Sequence, residues 1–124
     1  MIVFAEQFLL QLLNDQNRAA IKKCLKNKSL KSWINNPVLL ELLENPVRQF
    51  NNVENITCLI FASLVSDDAT VRQLVKAGAD VTVTDSRGYG EEVFSALHYA
   101  CASDVDADAK VAYLMQRDET SQTV

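Results

Sequence analysis

The only histidine in the chain, His98, is the residue type most often used for proton transfer near neutral pH. Catalysis by a hydroxyl or thiol nucleophile needs a base beside it and a third group that orients the base. No acid or nucleophile accompanies His98 at a spacing that fits such a set, and no glycine-rich phosphate loop is present. These observations favour a structural histidine. They predict a protein that is not an enzyme and has no small-molecule substrate.

Three alternating acids, Asp104, Asp106 and Asp108, match the opening of a calcium-binding loop. Such a loop needs glycine at its sixth position and glutamate at its twelfth. Those positions hold Ala109 and Met115. Capping of a following helix by Asp106 or Asp108 explains the acids more simply. We therefore expect no bound metal ion and no other cofactor.

The cysteines Cys24, Cys58 and Cys101 are odd in number, and no two are spaced as in a C-x-x-C motif. This pattern predicts reduced, partly buried thiols in a cytoplasmic or nuclear protein. The N-terminal apolar stretch contains Glu6 and Gln7 and has no basic leader, so a secretory signal is not expected.

Charge is distributed unevenly along the chain. Residues 1–50 hold seven Lys/Arg against four Asp/Glu, a net charge of +3, whereas residues 51–124 hold five against twelve, a net charge of −7. Residues 16–40 contain no acid at all, and their cations overlie an apolar stripe. Such a surface can bind an anionic membrane or nucleic acid, or it can be the solvated face of a cap. The overall acidity favours the solvated cap. The basic residues are Arg18, Lys22, Lys23, Lys26, Lys28 and Lys31.

Apolar residues recur at helical spacing along most of the chain, and strand-like alternation is confined to Val81 and Val83. Asn36–Pro37 predicts the start of one helix, Asn45 its end, and Gly78 the end of another. A turn is expected around Trp33 and a second over residues 85–88. The predicted fold class is all-α, with helices over residues 4–14, 18–27, 38–44, 56–66, 70–77, 95–103 and 108–116.

Two segments repeat each other. TCLIFAS at 57–63 and SALHYAC at 95–101 share a hydroxyl residue, Leu two positions later and Ala three positions after that. An apolar helix follows each of them, VRQLV at 71–75 and VAYLM at 111–115. A short helix pair buries its apolar face only against the next pair, so the repetition indicates a stack of similar units.

Residues 74–100 carry Gly78–Ala79–Asp80 as a helix stop and Ser95–Ala96–Leu97–His98 as a helix start. In these motifs the chain resembles ankyrin-repeat proteins, whose unit is about 33 residues long. The resemblance implies a solenoid of about three helix-turn-helix units, in which Ser95 and His98 bond to each other locally. We expect one domain over residues 1–124. It comprises a divergent helical cap over 1–51, repeats over 52–84 and 85–116, and a polar tail over 117–124.

The second repeat interval is longer than the family pattern. Thr57 and Ser95 are 38 residues apart, and the excess falls at residues 90–94 within a finger loop. This insert is either neutral surface length or a partner contact, since loops often carry function. By resemblance, the partner is another protein, held by the fingers and the inner helices. The candidate contacts are Asp85, Arg87, Tyr89, Glu91, Glu92 and Phe94 from the finger, with Ser63, Tyr99 and Ser103 from the inner helices.

The sequence therefore predicts a protein–protein interaction module, an adaptor or regulator whose acidic finger suits a partner with a basic patch. Three alternatives stay open: binding of an anionic membrane or nucleic acid through the basic N-terminal residues, a homodimer, and a structural or regulatory piece of a larger ankyrin-containing protein.

Overall fold

The computed structural model describes residues 5–40, 43, 50, 53–86 and 93–122. Within these ranges the chain forms six α-helices and one short 3-10 helix, Leu30–Ser32, and no strand. None of these helices is both long enough and apolar enough to cross a membrane. The helices are α1 Ala5–Asn14, α2 Arg18–Cys24, α3 Cys58–Val65, α4 Asp68–Lys76, α5 Ala96–Cys101 and α6 Ala107–Gln122.

Short polar side chains begin three of these helices, because each one accepts a hydrogen bond from a backbone N–H of the first turn. Asn17 Oδ1 accepts from Ala20 N at 3.2 Å and starts α2. Thr57 Oγ1 accepts from Ile60 N at 3.3 Å and starts α3. Asp67 Oδ1 accepts from the N–H of the third residue of α4 at 3.0 Å.

The helices pack as consecutive pairs, α1 with α2, α3 with α4, and α5 with α6. Helix α3 lies between α1 and α5, and α4 also contacts α6. Every residue of α3 from Cys58 to Leu64 is buried. The core therefore runs through the stack along α1, α3 and α5, with Leu74 of α4 and Leu114 of α6 closing it from the other layer.

The all-α prediction is confirmed, and six of the seven predicted helices occur. Five of them have ends shifted by at most three residues, but α6 continues to Gln122, so residues 117–122 of the predicted polar tail are helical. The helix predicted over 38–44 is wrong at Val38 and Leu39, which are not helical. Val38 N donates to Ile56 O at 2.8 Å, and Leu39 N donates to Gln7 Oε1 at 2.9 Å. Distant acceptors thus hold the amides that a helix would have left free at its start. Asn45 lies outside the described residues.

Gly78 ends α4 as predicted, with a positive φ of 115° that is free of steric cost for glycine alone. Beyond it the chain makes a turn at Val81–Thr82 and then two isolated antiparallel bridges, Thr84 with Ser95 and Ser86 with Glu54. The second bridge joins chain segments that precede two successive helix pairs, so adjacent units are connected outside their helices as well as through the core.

Candidate functional site

Asp85 closes the base of the predicted finger. Its N–H donates to Phe94 O at 2.9 Å, and its Oδ1 accepts from Phe94 N at 2.8 Å. Its Oδ2 accepts from the Tyr99 hydroxyl at 2.5 Å. Asp85 is 2% exposed, and these bonds replace the hydrogen bonds with water that a carboxylate loses on burial. Asp85 therefore joins the described residues on either side of the segment 87–92 and ties them to α5.

Aromatic rings support this base from the side of α5. The Phe94 ring stacks on the His98 imidazole with a centroid distance of 5.1 Å and meets Tyr99 edge-on at 6.2 Å. Phe50 packs against Tyr99 at 4.9 Å. Phe94 is only half-buried, so one part of this small aromatic cluster reaches the surface next to the finger.

His98 has the structural role expected of it. Its Nδ1 accepts from Ser95 N at 3.0 Å and lies 3.1 Å from Ser95 Oγ, on the exposed N-terminus of α5. The predicted local bond between Ser95 and His98 is thus present. The ring helps to start a helix.

Four predicted finger contacts, Arg87, Tyr89, Glu91 and Glu92, lie outside the described residues. Asp85 and Phe94 lie at the two ends of that segment. The structure therefore shows how the segment is anchored, and the role of its side chains stays a prediction.

The residues predicted to contact a partner from the inner helices are inside the protein. Ser63 is 0% exposed, and its hydroxyl donates to Leu59 O at 2.7 Å. Ser103 Oγ donates to Leu64 O at 2.7 Å, and the Tyr99 hydroxyl is taken up by Asp85. All three residues, and Asp85, are buried and so do not offer a surface for contact with a partner. The polar groups of Tyr99, Ser103 and Asp85 join neighbouring elements, whereas the Ser63 hydroxyl bonds within α3.

Lys110 was not predicted from the sequence to have a role, yet it is 0% exposed and lies between the end of α3 and Ser103. Its Nζ donates to Ser63 O at 2.8 Å, Ser66 O at 2.8 Å and Ser103 Oγ at 2.7 Å. All three ammonium donors are therefore used, two of them on carbonyls at the C-terminal end of α3, where a cation is favoured. Burial lowers the pKa of Lys110 below its ordinary value of 10.5.

The acids beside this lysine hold the start of α4. Asp106 Oδ2 accepts from Asp68 N at 3.1 Å, and Asp67 forms an ion pair with Arg18. Burial alone would raise the pKa of Asp67, but hydrogen bonds to Thr70 and the Arg18 charge outweigh it, so this pKa lies below 3.8. Asp106 directly precedes α6, but its carboxylate serves α4. Arg18 thus differs from the basic residues described next, because its charge is paired with Asp67.

The remaining basic residues lie in the open. Lys22, Lys23, Lys26 and Lys28 are exposed, and within the described ranges none has a carboxylate at ion-pair distance. The Lys31 side chain lies outside the described part. An apolar groove opens beside Lys23 between α1 and α2, and its lining includes Phe8 and Trp33. Sequence analysis identified the cations but missed this groove, because the sequence pattern does not distinguish the exposed Phe8 from the buried leucines beside it.

Cysteines and acids offer little further chemistry in the described part of the chain. Cys24, Cys58 and Cys101 are free thiols, and burial raises the pKa of Cys24 and of Cys58. No group of three or more His, Cys, Asp or Glu side chains there is placed to hold a metal ion.

Comparison of the chain with protein-family models, with curated proteins and with solved structures gave no match.

Proposed function

We propose that this chain is a non-catalytic protein-interaction module of the ankyrin-repeat type, which binds a protein partner through residues 87–92 and acts as an adaptor or regulator. Three features support the repeat assignment. Helices pack as consecutive pairs, Gly78 stops the second helix of one pair, and the chain crosses to the next pair through a short bridged segment. Solenoids of this kind present their loops along one edge for binding.

The observation that carries the proposal is the anchoring by Asp85. A loop that contacts a partner loses less conformational entropy on binding when its ends are already fixed. Here a buried carboxylate bonds to Phe94 N beyond the loop and to Tyr99 in α5, so the residues that flank the loop are held together. A base held in this way favours a loop whose residues bind a partner as one unit.

The composition of residues 87–92 defines the partner. Tyr89 supplies an amphipathic ring of the kind enriched in binding hot spots, and Glu91 with Glu92 supplies adjacent negative charge. A protein surface with a basic patch and a pocket for one aromatic ring fits this set. Association should weaken as salt is raised, because exposed charges are screened.

The proposal is tested by site-specific photo-crosslinking in extract of the producing cells. A photoreactive phenylalanine analogue at position 89 should give a discrete adduct with one protein. The same analogue at Gln73, an exposed position on α4, should not. Equal adducts at both positions, or none at 89, would contradict the assignment of the finger.

A matched pair of variants then tests the chemistry with the crosslinked protein in purified form. Tyr89→Ser combined with Glu91→Gln and Glu92→Gln should weaken binding at least about 30-fold, equivalent to roughly 2 kcal/mol. The control removes the same number of charges elsewhere, through Gln73→Ser, Asp104→Asn and Asp108→Asn on exposed positions. We expect the control to bind as the wild type does.

A further inference from the structure

The groove between α1 and α2 is a second surface, distinct from the finger. It encloses about 310 Å³. Phe8 on its border is 53% exposed, an unusual fraction for a large aromatic side chain on a helix whose neighbouring leucines are buried. The lining consists of Ala5, Phe8, Ala20, Lys23, Cys24, Asn27 and Trp33.

Side-chain size explains why the groove exists. Ala20, Lys23 and Cys24 follow helical i, i+3, i+4 spacing and share one face of α2, and Asn27 lies just beyond the end of this helix. Small residues at positions 5 and 20 leave a gap where the two helices would otherwise fill the space with larger side chains. Trp33, after the 3-10 helix, closes one side of the gap. The result is a concave apolar site, and concave sites take inserted side chains.

The charge around the groove defines what can enter it. Lys23 lies in the lining, and Lys22, Lys26 and Lys28 are exposed close by in the chain. None of the four is neutralised by a carboxylate of the described residues, in contrast to Arg18, which pairs with Asp67. An apolar side chain entering the groove would thus lie beside Lys23, with the three other lysines close by in the chain.

We propose that this groove binds an acidic amphipathic segment of another protein, with one apolar side chain inserted between Phe8 and Trp33 and its carboxylates facing Lys23 and the neighbouring lysines. A helix that lays an apolar face into such a groove is a recurrent recognition mode. The site uses α1 and α2 alone, so it stands independently of the role proposed for residues 87–92.

The lining argues against the other anionic ligands. A membrane surface is engaged by several apolar side chains that protrude into the headgroup boundary, whereas Phe8 is the one large apolar side chain of this lining that is more than half exposed. Single-stranded nucleic acid stacks successive bases on several exposed aromatic faces, whereas Phe8 is the one exposed ring of this lining and Trp33 is 8% exposed.

Two synthetic helical peptides test the proposal with the full chain. Both carry the same leucine and phenylalanine residues along one face. One has glutamate at all its polar positions, and the other has lysine there. Trp33 is the only tryptophan, so its emission reports directly on the groove. Alkylation of Cys24 provides a second local readout, with the exposed Cys101 as an internal reference resolved by mass spectrometry.

The glutamate peptide should shift the Trp33 emission and slow alkylation of Cys24 several-fold while Cys101 reacts as before, and binding should weaken with salt. The lysine peptide should do neither. Phe8→Ala should weaken binding of the glutamate peptide by about tenfold or more, since it removes the large apolar side chain that borders the groove. Lys23→Glu should also weaken binding of the glutamate peptide, most strongly at low salt.

The matched controls are Met115→Ala, which removes an exposed apolar side chain on α6, and Lys76→Glu, which reverses an exposed cation on α4. Both should bind like the wild type.

Several results would overturn the proposal. They are equal binding of the two peptides, no binding of the glutamate peptide, unchanged binding in Phe8→Ala, and protection of Cys101 in place of Cys24.

Tighter binding of a 20-nucleotide single strand or of phosphatidylserine vesicles, with the same Trp33 response, would assign the groove to that polyanion. Concentration-dependent dimerisation abolished by Phe8→Ala would assign it to a second copy of this chain. Neither result would bear on crosslinking from position 89.

Discussion

At the scale of single residues, buried polar side chains do much of the work of holding successive helix pairs together. Lys110 reaches from α6 to two carbonyls at the end of α3, and Ser103 reaches from the segment before α6 to Leu64 O. Asp85 does the same between the bridged segment and α5. The polar groups of these residues bond to other segments of the chain. Their substitution should therefore lower the stability of the fold and should affect binding at the surface only indirectly.

Lys110→Met tests the largest of these contacts. The substitution keeps most of the aliphatic length but leaves two buried carbonyls and the Ser103 hydroxyl short of a donor. We expect the free energy of unfolding to fall by about 2–4 kcal/mol, because unsatisfied buried groups cost more than the bond itself contributes. Urea denaturation measures this. A variant as stable as the wild type would mean that the ammonium group contributes nothing net, as happens with some buried charges.

Asp67 makes stability depend on acid pH. Its pKa in the folded protein lies below 3.8, so the unfolded state binds the proton more readily. The stabilisation is fully present above about pH 4–5 and is lost as pH falls through the folded pKa. Asp67→Asn keeps a cap for α4 but removes this titration. Denaturation curves between pH 2 and pH 7 should therefore show a shallower loss of stability for Asp67→Asn than for the wild type. Parallel curves would contradict the role of the Arg18 ion pair.

At the scale of elements, α1 and α4 end in the same way. Ala79 N donates to Leu74 O at 3.0 Å and Gly78 N donates to Val75 O at 3.1 Å, the pair of bonds known as a Schellman motif. Asn17 and Gln16 make the equivalent bonds to Leu12 O and Leu13 O after α1. The residue with positive φ is glycine in one case and Gln16, at 55°, in the other.

Opposite substitutions at these two positions should have opposite effects. Gly78→Ala forces a Cβ into a conformation it tolerates poorly and should cost about 1–2 kcal/mol. Gln16→Gly relieves the same strain and should stabilise the protein by up to about 1 kcal/mol. Gln73→Ala on the exposed face of α4 is the neutral control, expected within about 0.5 kcal/mol. Thermal and urea unfolding of the three variants check this. Destabilisation by Gln16→Gly would show that the Gln16 side chain makes a contribution that outweighs the strain.

What could be predicted from sequence at this scale was local. Thr57, Ser95 and Gly78 act on backbone groups within a few residues, so the helix starts and the stop were recognisable from the chain alone. The failure at Val38 and Leu39 has the opposite cause. Asn36–Pro37 is a good local helix start, but Ile56 O and Gln7 Oε1 capture the amides that follow, and no local pattern reports acceptors so distant in sequence.

The same distinction separates the candidate site residues. His98 was correctly expected to bond locally, whereas Ser63, Tyr99 and Ser103 were expected on a surface and are buried. The Ser63 hydroxyl bonds locally to Leu59 O, but the Tyr99 hydroxyl bonds to Asp85 across 14 residues and the Ser103 hydroxyl bonds to Leu64 O across 39. Burial of a polar side chain is decided by such long-range partners, and the repeat pattern indicates only which helix carries it.

At the scale of the whole molecule, the stack gives each helix a different number of neighbours. Helix α3 has packed helices on both sides, whereas α1 and α5 each face only one other unit in the described part of the chain. Local opening should therefore cost most free energy at α3 and least at the polar end of α6.

Native-state hydrogen exchange checks this order. Amides of residues 61–65, which are bonded within α3, should exchange most slowly and approach the global free energy of unfolding. Amides of residues 118–122 in α6 should exchange fastest among the helices. Uniform protection along all six helices would instead indicate a single cooperative core without distinct units.

The central claim is that residues 87–92, fixed at their base by Asp85, bind a protein partner. Its most direct test is the dissociation constant of the partner crosslinked from position 89, measured at low and at moderate salt. We predict binding that weakens with salt and is lost in the variant combining Tyr89→Ser, Glu91→Gln and Glu92→Gln, while the control with Gln73→Ser, Asp104→Asn and Asp108→Asn binds normally. Equal affinity for the two variants would contradict the claim.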